Sequence, residues 1–356
     1  MENASSQVIA EFLPDVAVNK TSLFTYGERV GVAIVLLIIF ALGTLGNSIV
    51  ILAVALSKDL HTIPNVFVVS LAIADLCYCL LLPSSSVIPL LSTDPWHSET
   101  LCFLSALMAY TSIGASLYNL ACIALNRLLV IRGPAKARKW LFTTKKITIM
   151  VAGTWAIPLA AMLVPLPFGI GALGLDKQDN TCSDIDTHPR FMEYHLIQVF
   201  CFYPLPLMIL IISYSLLFFH VQHNFKHRRE SFKLTHQEMS DFRTDDDTMQ
   251  DKLKARFKKR TNRQQLQITK NLFIVSCVFV VCGAPYTVAL LTTSNARILL
   301  FLSVLFTFNS CVNPILYTVN HSRFKVVILC ILRCRLKDIP KPSALLVSLR
   351  ARFCRV

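Results

Sequence analysis

Seven long stretches free or nearly free of formal charge divide this 356-residue chain: 30–57, 60–93, 100–126, 147–175, 194–225, 271–296 and 298–322. One of them, 60–93, carries a charge, Asp75. Each is 25 residues or longer, whereas about 20 apolar residues cross the hydrocarbon core of a bilayer as a helix. A membrane barrel would show alternating segments of roughly 10 residues instead. The pattern therefore predicts an all-α membrane protein, a bundle of seven transmembrane helices. Pro165, Pro206, Pro285 and Pro314 fall inside the stretches, where neighbouring helices and water can satisfy the freed carbonyls, so they predict kinks.

Composition agrees: 54% of the residues are hydrophobic, 16% are charged and the mean hydropathy is +0.55, which excludes an ordinary soluble globule. Charge sets the orientation. With the N-terminus outside, the outer segments hold only Lys20, Arg29, Lys177, Arg190 and Arg297 of the 35 basic residues, and the positive-inside rule favours that arrangement. Eleven acidic residues lie on the same side, leaving it at −6 and mildly attractive to cations, although the chain as a whole is +14. The predicted organisation is an extracellular segment 1–29, a membrane domain 30–320 with a cytosolic third loop at 222–262, and an amphipathic helix with a basic tail over 321–356.

Asn3 and Asn19 begin glycosylation sequons in the outer segment. The acidic start lacks an apolar core before Val30, so the first helix is expected to act as the insertion signal. In the third loop, Asp245, Asp246 and Asp247 precede a run of seven basic residues between Lys252 and Arg263. That run extends the sixth helix into the cytosol, lies on anionic membrane lipid as a lipid partner, or forms a solvated loop that fixes topology. Cys330 and Cys334, among Arg323, Lys325, Arg333 and Arg335, suit palmitoylation at the inner membrane surface or remain as reduced thiols.

Each stretch also carries a marker: Gly46-Asn47; Leu71-Ala72-Ile73-Ala74-Asp75; Cys102 and then Asn126-Arg127-Leu128; Trp155 and Pro165; Pro206 and Tyr214; Phe279 and Cys282-Gly283-Ala284-Pro285; and Asn309 through Asn313-Pro314 to Tyr317, followed by Ser322-Arg323-Phe324. In this order, on seven spans, they resemble the rhodopsin-like (class A) G-protein-coupled receptors. The Asn-Arg of the third stretch and the Trp155-to-Pro165 segment look similar to the melatonin-receptor group and its orphan relatives. Leu128, Gly283 and Pro165 depart from that group.

The resemblance implies a plasma-membrane receptor that binds an extracellular ligand and activates heterotrimeric G proteins, with inhibitory coupling only by analogy with the melatonin group. It further implies arrestin and receptor kinases as partners, with Ser231, Thr235, Thr244, Thr248, Ser343 and Ser348 as candidate phosphorylation sites. No nucleic-acid partner is implied. Sidedness together with the family pattern pairs Cys102 with Cys182. The implied activation switch comprises Asn126, Arg127, Leu128, Tyr214, Phe279, Pro285, Asn313, Pro314 and Tyr317, with Pro206 and Leu117 packed against Phe279. Most relatives carry Asp and Tyr on either side of the arginine. Asn126 cannot make the charge-assisted pair of an aspartate, and Gln265 stands where many relatives place an acidic partner on the sixth helix. Basal activity is the expected consequence. Gly283 replaces a large tryptophan, leaving a void or letting Tyr286 drop inward.

The implied ligand cavity is lined by Ala109, Tyr110, Ile113, Gln198, Phe202, Tyr286, Leu290, Ser303 and Thr307. None is charged. Ala109 replaces the aspartate of amine receptors, and the seventh stretch has no lysine for retinal, so a neutral, partly apolar ligand fits best, with a peptide on the acidic outer face as second choice. Asp75 is a carboxylate within a span and thus functional by default. With Ser116, Asn309 and Asn313 it would bind an allosteric sodium ion, as the resemblance implies, or form a hydrogen-bonded polar knot. No cofactor is otherwise expected. An enzyme is disfavoured, because the metalloprotease, nucleophile-elbow and phosphate-loop motifs are absent. A non-signalling scavenger receptor and, further off, an ion transporter using Asp75 are the alternatives.

Overall fold

The structure is a computed structural model that describes residues 24–91, 98–176, 181–238, 270, 273–289, 292 and 295–353. Asn3, Asn19, Gln265, Leu290, Thr244 and Thr248 lie outside the described residues. Among the described residues, helices occupy each of the seven expected spans: α1 Tyr26–Leu56, α2 Ile63–Leu82, α3 Glu99–Ile131, α4 Thr144–Leu163, α5 in two pieces, Phe191–Phe202 and Pro204–Glu238, α6 Phe273–Ala289 and α7 Ala296–Asn320. Six are long and apolar enough to cross a bilayer, and α6 is shorter over its described residues. α8, Ser322–Leu332, follows a single residue after α7.

Polar residues set the helix starts. Thr25 and Glu28 form a reciprocal capping box on α1, the Thr25 Oγ accepting from the Glu28 amide at 3.2 Å while Glu28 Oε2 accepts from the Thr25 amide at 2.8 Å. Ser98 caps α3, Asn295 caps α7 through the amides of Arg297 and Ile298, and the His321 ring accepts from the Phe324 amide to start α8. Two glycines allow helices to touch: a Cβ on Gly114 would lie 2.6 Å from Pro158 of α4, and one on Gly46 would lie 2.9 Å from Pro314 of α7. The largest buried cluster joins α1, α2, α3, α5, α6, α7 and α8 through residues such as Val50, Phe67, Leu120, Phe279 and Phe324.

Two expectations are corrected. Pro165 does not kink α4: it lies past the last helical residue, where it leads into a 3₁₀ turn, and Pro158 is the proline inside the helix. α5 runs on to Glu238, well into the segment expected to be loop. Beyond α8 the tail turns at 336–338 and returns to the inner end of α1 before a further helix, α9, Ala344–Phe353.

There the Lys58 amide donates to the Lys341 carbonyl at 2.9 Å, the Ser343 amide donates to the Leu56 carbonyl at 2.9 Å, and Lys341 pairs with Asp59 at 2.7 Å. Ile339 and Leu346 are buried beneath this strap. Ser343 is only 3% exposed and accepts the Leu346 amide as the N-cap of α9, so this candidate phosphorylation site is covered, whereas Ser348 is exposed.

Candidate functional site

The polar residues of the bundle gather at three depths along α3. At the outer end, the hairpin of β1, Leu173–Asp176, and β2, Thr181–Asp184, pairs Leu175 with Cys182. Cys182 is disulfide-bonded to Cys102 of α3 with the two Cα atoms 5.0 Å apart, as expected. The bond fixes the hairpin to the outer end of α3. Two residues further on, the carboxylate of Asp184 accepts a hydrogen bond from the hydroxyl of Tyr110, and its other oxygen lies 3.7 Å from Nδ1 of His195 on α5.

The helical wall positions are uncharged, as the sequence says, but the loop adds a carboxylate to them. Counting charges along the helices missed Asp184. Its position two residues after the disulfide cysteine is the signal that places it. Gln198 and Phe202 are buried on α5, Ala109 and Ile113 are half-buried on α3, and Thr307 bonds to Tyr78 at 3.2 Å while Ser303 turns back to the Leu300 carbonyl at 2.7 Å. A Cβ on Gly283 would meet the ring of Phe306 at 3.7 Å, and Tyr286 packs on that ring with centroids 5.4 Å apart.

At the middle depth, Asp75 is 2% exposed. Ser116 Oγ donates to its Oδ1 at 3.0 Å and Asn313 Nδ2 donates to its Oδ2 at 2.7 Å, so α2, α3 and α7 meet at this carboxylate. A narrow cavity beside it is lined by Ser112, Phe279, Phe306 and Asn309 among others. The Ser112 hydroxyl is buried without a hydrogen-bond partner. Asp75, Ser112, Ser116 and Asn309 thus offer several oxygens around one space, a donor set that fits a hard cation. Nearby, Asn47 donates to the Ser310 carbonyl at 2.9 Å and Trp155 donates to Ser70 at 3.0 Å, closing α1 onto α7 and α4 onto α2.

At the inner depth, Arg127 is buried, Tyr214 lies within its electrostatic reach, and Tyr317 lies within that of Tyr214. Asn126 is 1% exposed, and neither atom of its amide has a hydrogen-bond partner. The buried Tyr317 hydroxyl has none either. Phe279 and Leu117 share one buried cluster, and Tyr317 stacks on Phe324 of α8 at 5.5 Å. Cys334 is exposed beyond α8, while Cys330 is half-buried against the core.

The model of the 7 transmembrane receptor (rhodopsin family) matches residues 46–317, three quarters of the chain. The chain belongs to this family. Among its relatives, the human cholecystokinin receptor type A is 22% identical over 83% of this chain and 79% of that one, and the rabbit receptor is 27% identical over 51% of this chain and 43% of that one. A protein described as probable G-protein coupled receptor No18 of the barnacle Amphibalanus amphitrite is 26% identical over 86% of this chain and 91% of that one. The crystal structure of squid rhodopsin shares the fold, with a TM-score of 0.71 at 19% identity, covering 91% of each chain. These likenesses bear on the family as a whole and do not confirm a particular kinship with the melatonin receptors. They make this receptor a multi-pass membrane protein rather than an enzyme.

Proposed function

We propose that this receptor sits in the plasma membrane with its N-terminus outside, takes an extracellular ligand between α3, α5, α6 and α7, and activates a heterotrimeric G protein at its inner face. The observation that carries the reading is the inner-end arrangement. Arg127, Tyr214 and Tyr317 converge there from three helices, while Asn126 and the Tyr317 hydroxyl are buried without partners. Each such group costs about 1–3 kcal/mol, a cost that an outward movement of α6 would relieve by admitting water or new partners. Such a site is poised between two states. Basal activity follows from the missing pair at Asn126.

The buried Phe202 with the half-buried Ile113 and Tyr286 supports a ligand with a largely apolar body. The sequence favours a neutral molecule, with a peptide second, and the charge of Asp184 bears on that choice. We assign Asp75, Ser112, Ser116 and Asn309 to an allosteric sodium ion, with Asn313 holding the carboxylate in place. Arrestin and receptor kinases would act on the tail, and Cys334 is the better placed of the two cysteines for a palmitoyl anchor.

The test is agonist-free dissociation of each main Gα class in cells expressing the wild type and Arg127→Ala at equal surface levels. A basal signal that disappears in the mutant is expected. If instead the wild type produces no signal while cells internalise bound ligand, the scavenger alternative is correct.

A further inference from the structure

Asp184 is held in surroundings that leave its charge uncompensated. The Cys102–Cys182 bond anchors β2 to α3, and Asp184, two residues later, is turned inward with its side chain only 11% exposed. Tyr110 donates to one carboxylate oxygen. The other faces His195 at 3.7 Å, too far for a hydrogen bond, and neither nitrogen of that ring has a hydrogen-bond partner. Among the described residues no lysine or arginine reaches Asp184.

We propose that the missing counter-charge is the ammonium group of a small-molecule amine, which binds against the free oxygen of Asp184. This deepens the receptor reading above and rests on it. The absence of an aspartate at Ala109 argues against an amine only if the counter-ion must come from α3. Here the loop supplies it, beside Tyr110, the next residue. Tyr110 and Tyr286 lie within electrostatic reach of each other and provide the aromatic surface that an ammonium prefers. One helical turn from His195, the buried Gln198 side chain has an amide nitrogen with no partner, a donor that a hydroxyl on the ring of the amine, as in tyramine, would satisfy.

The probes are phenethylamine, tyramine and tryptamine, each paired with its N-acetyl counterpart, which has nearly the same body and no charge. Thermal unfolding of the purified full-length receptor is followed with each probe at about 1 mM, where binding raises the melting temperature by mass action. At least one free amine is expected to stabilise the wild type while its acetylated partner does not. In Asp184→Asn, affinity should fall at least about thirtyfold, the lower end for removing one partner of a buried charge pair.

Equal shifts by amine and amide, no shift by any amine, or undiminished affinity in Asp184→Asn would each overturn the proposal. So would wild-type stabilisation by acid alone that disappears in His195→Gln, since His195 would then be the counter-ion. The wild-type amine and amide comparison decides even where Asp184→Asn does not fold. Basal G-protein dissociation that depends on Arg127 is read in parallel: its persistence without amine binding removes this proposal alone, and its absence removes the basal-coupling reading of the inner end.

Discussion

Replacing Asn126 by aspartate should quieten the receptor. In the wild type both amide atoms of Asn126 are buried without partners, in a side chain 1% exposed beside the buried Arg127. An aspartate there can accept a charge-assisted hydrogen bond from the neighbouring guanidinium, worth about 1.5–3 kcal/mol. Desolvating the new carboxylate takes back a share of this, leaving roughly 1 kcal/mol in favour of the state that keeps the pair, or about a fivefold fall in the ratio of active to resting receptor. The assay is agonist-free Gα dissociation at matched surface expression, with Arg127→Ala setting the floor. A basal signal in Asn126→Asp equal to or above the wild type would refute the argument from the missing pair.

His321 couples the α8 junction to pH. Burial, then Arg127 and Arg323, push its pKa down from 6.5 to about 4, so the native state holds it neutral and the unfolded chain takes up the proton first. Its stabilising contribution is complete above about pH 6.5 and is lost as pH falls towards 4, roughly 3 kcal/mol in all. Melting temperature should therefore drop on acidification from about pH 7.5 to about pH 5 more steeply in the wild type than in His321→Asn, and parallel curves would count against this.

In Leu346→Asp, the tail strap should detach and Ser343 should become a kinase substrate, whereas in the wild type Ser348 is modified first; phosphopeptide mapping reads both. Wild-type modification of Ser343 ahead of Ser348 would contradict the docked tail. Sodium should raise the melting temperature of the wild type and have no specific effect on Asp75→Asn when compared at equal ionic strength with a bulky monovalent cation. A sodium response that survives the substitution would place the ion elsewhere.

The architecture was legible because the bilayer forces it: charge-free runs of 25 residues or more leave few alternatives to helices, and the order of markers on them names the family. Asp75, Ser116 and Asn313 could be grouped from the family pattern alone, and the structure brings them into hydrogen-bond contact. Pro165 misled because a proline ends a helix as readily as it kinks one, and composition does not say which. Asp184 was hidden in the count of outer acidic residues. What sets it apart is its place two residues after a disulfide cysteine, which the sequence does show, and a tyrosine from another helix, which no local pattern records. The tail strap was missed for the same reason: Leu346 and Ile339 read as ordinary apolar residues of a basic tail, and their partners, Leu56 and Leu60 among them, are nearly 300 residues away.

All three levels of the site hang on one helix. α3 carries Tyr110 beneath the loop carboxylate, Ser116 against Asp75, and Asn126-Arg127 at the inner end. The sixteen residues from Tyr110 to Asn126 span about 24 Å of nearly rigid rod. A ligand that draws Tyr110 and Asp184 together favours one position of that rod over another, and the unpartnered groups at its inner end respond to the same displacement. Because such coupling is a free energy shared by two sites, it acts in both directions. A G protein that favours the active position of α3 must tighten ligand binding by the same factor by which the ligand tightens G-protein binding. By that reasoning, loss of the inner-end switch in Arg127→Ala should also remove any G-protein-dependent increase in ligand affinity, without touching a residue of the outer pocket.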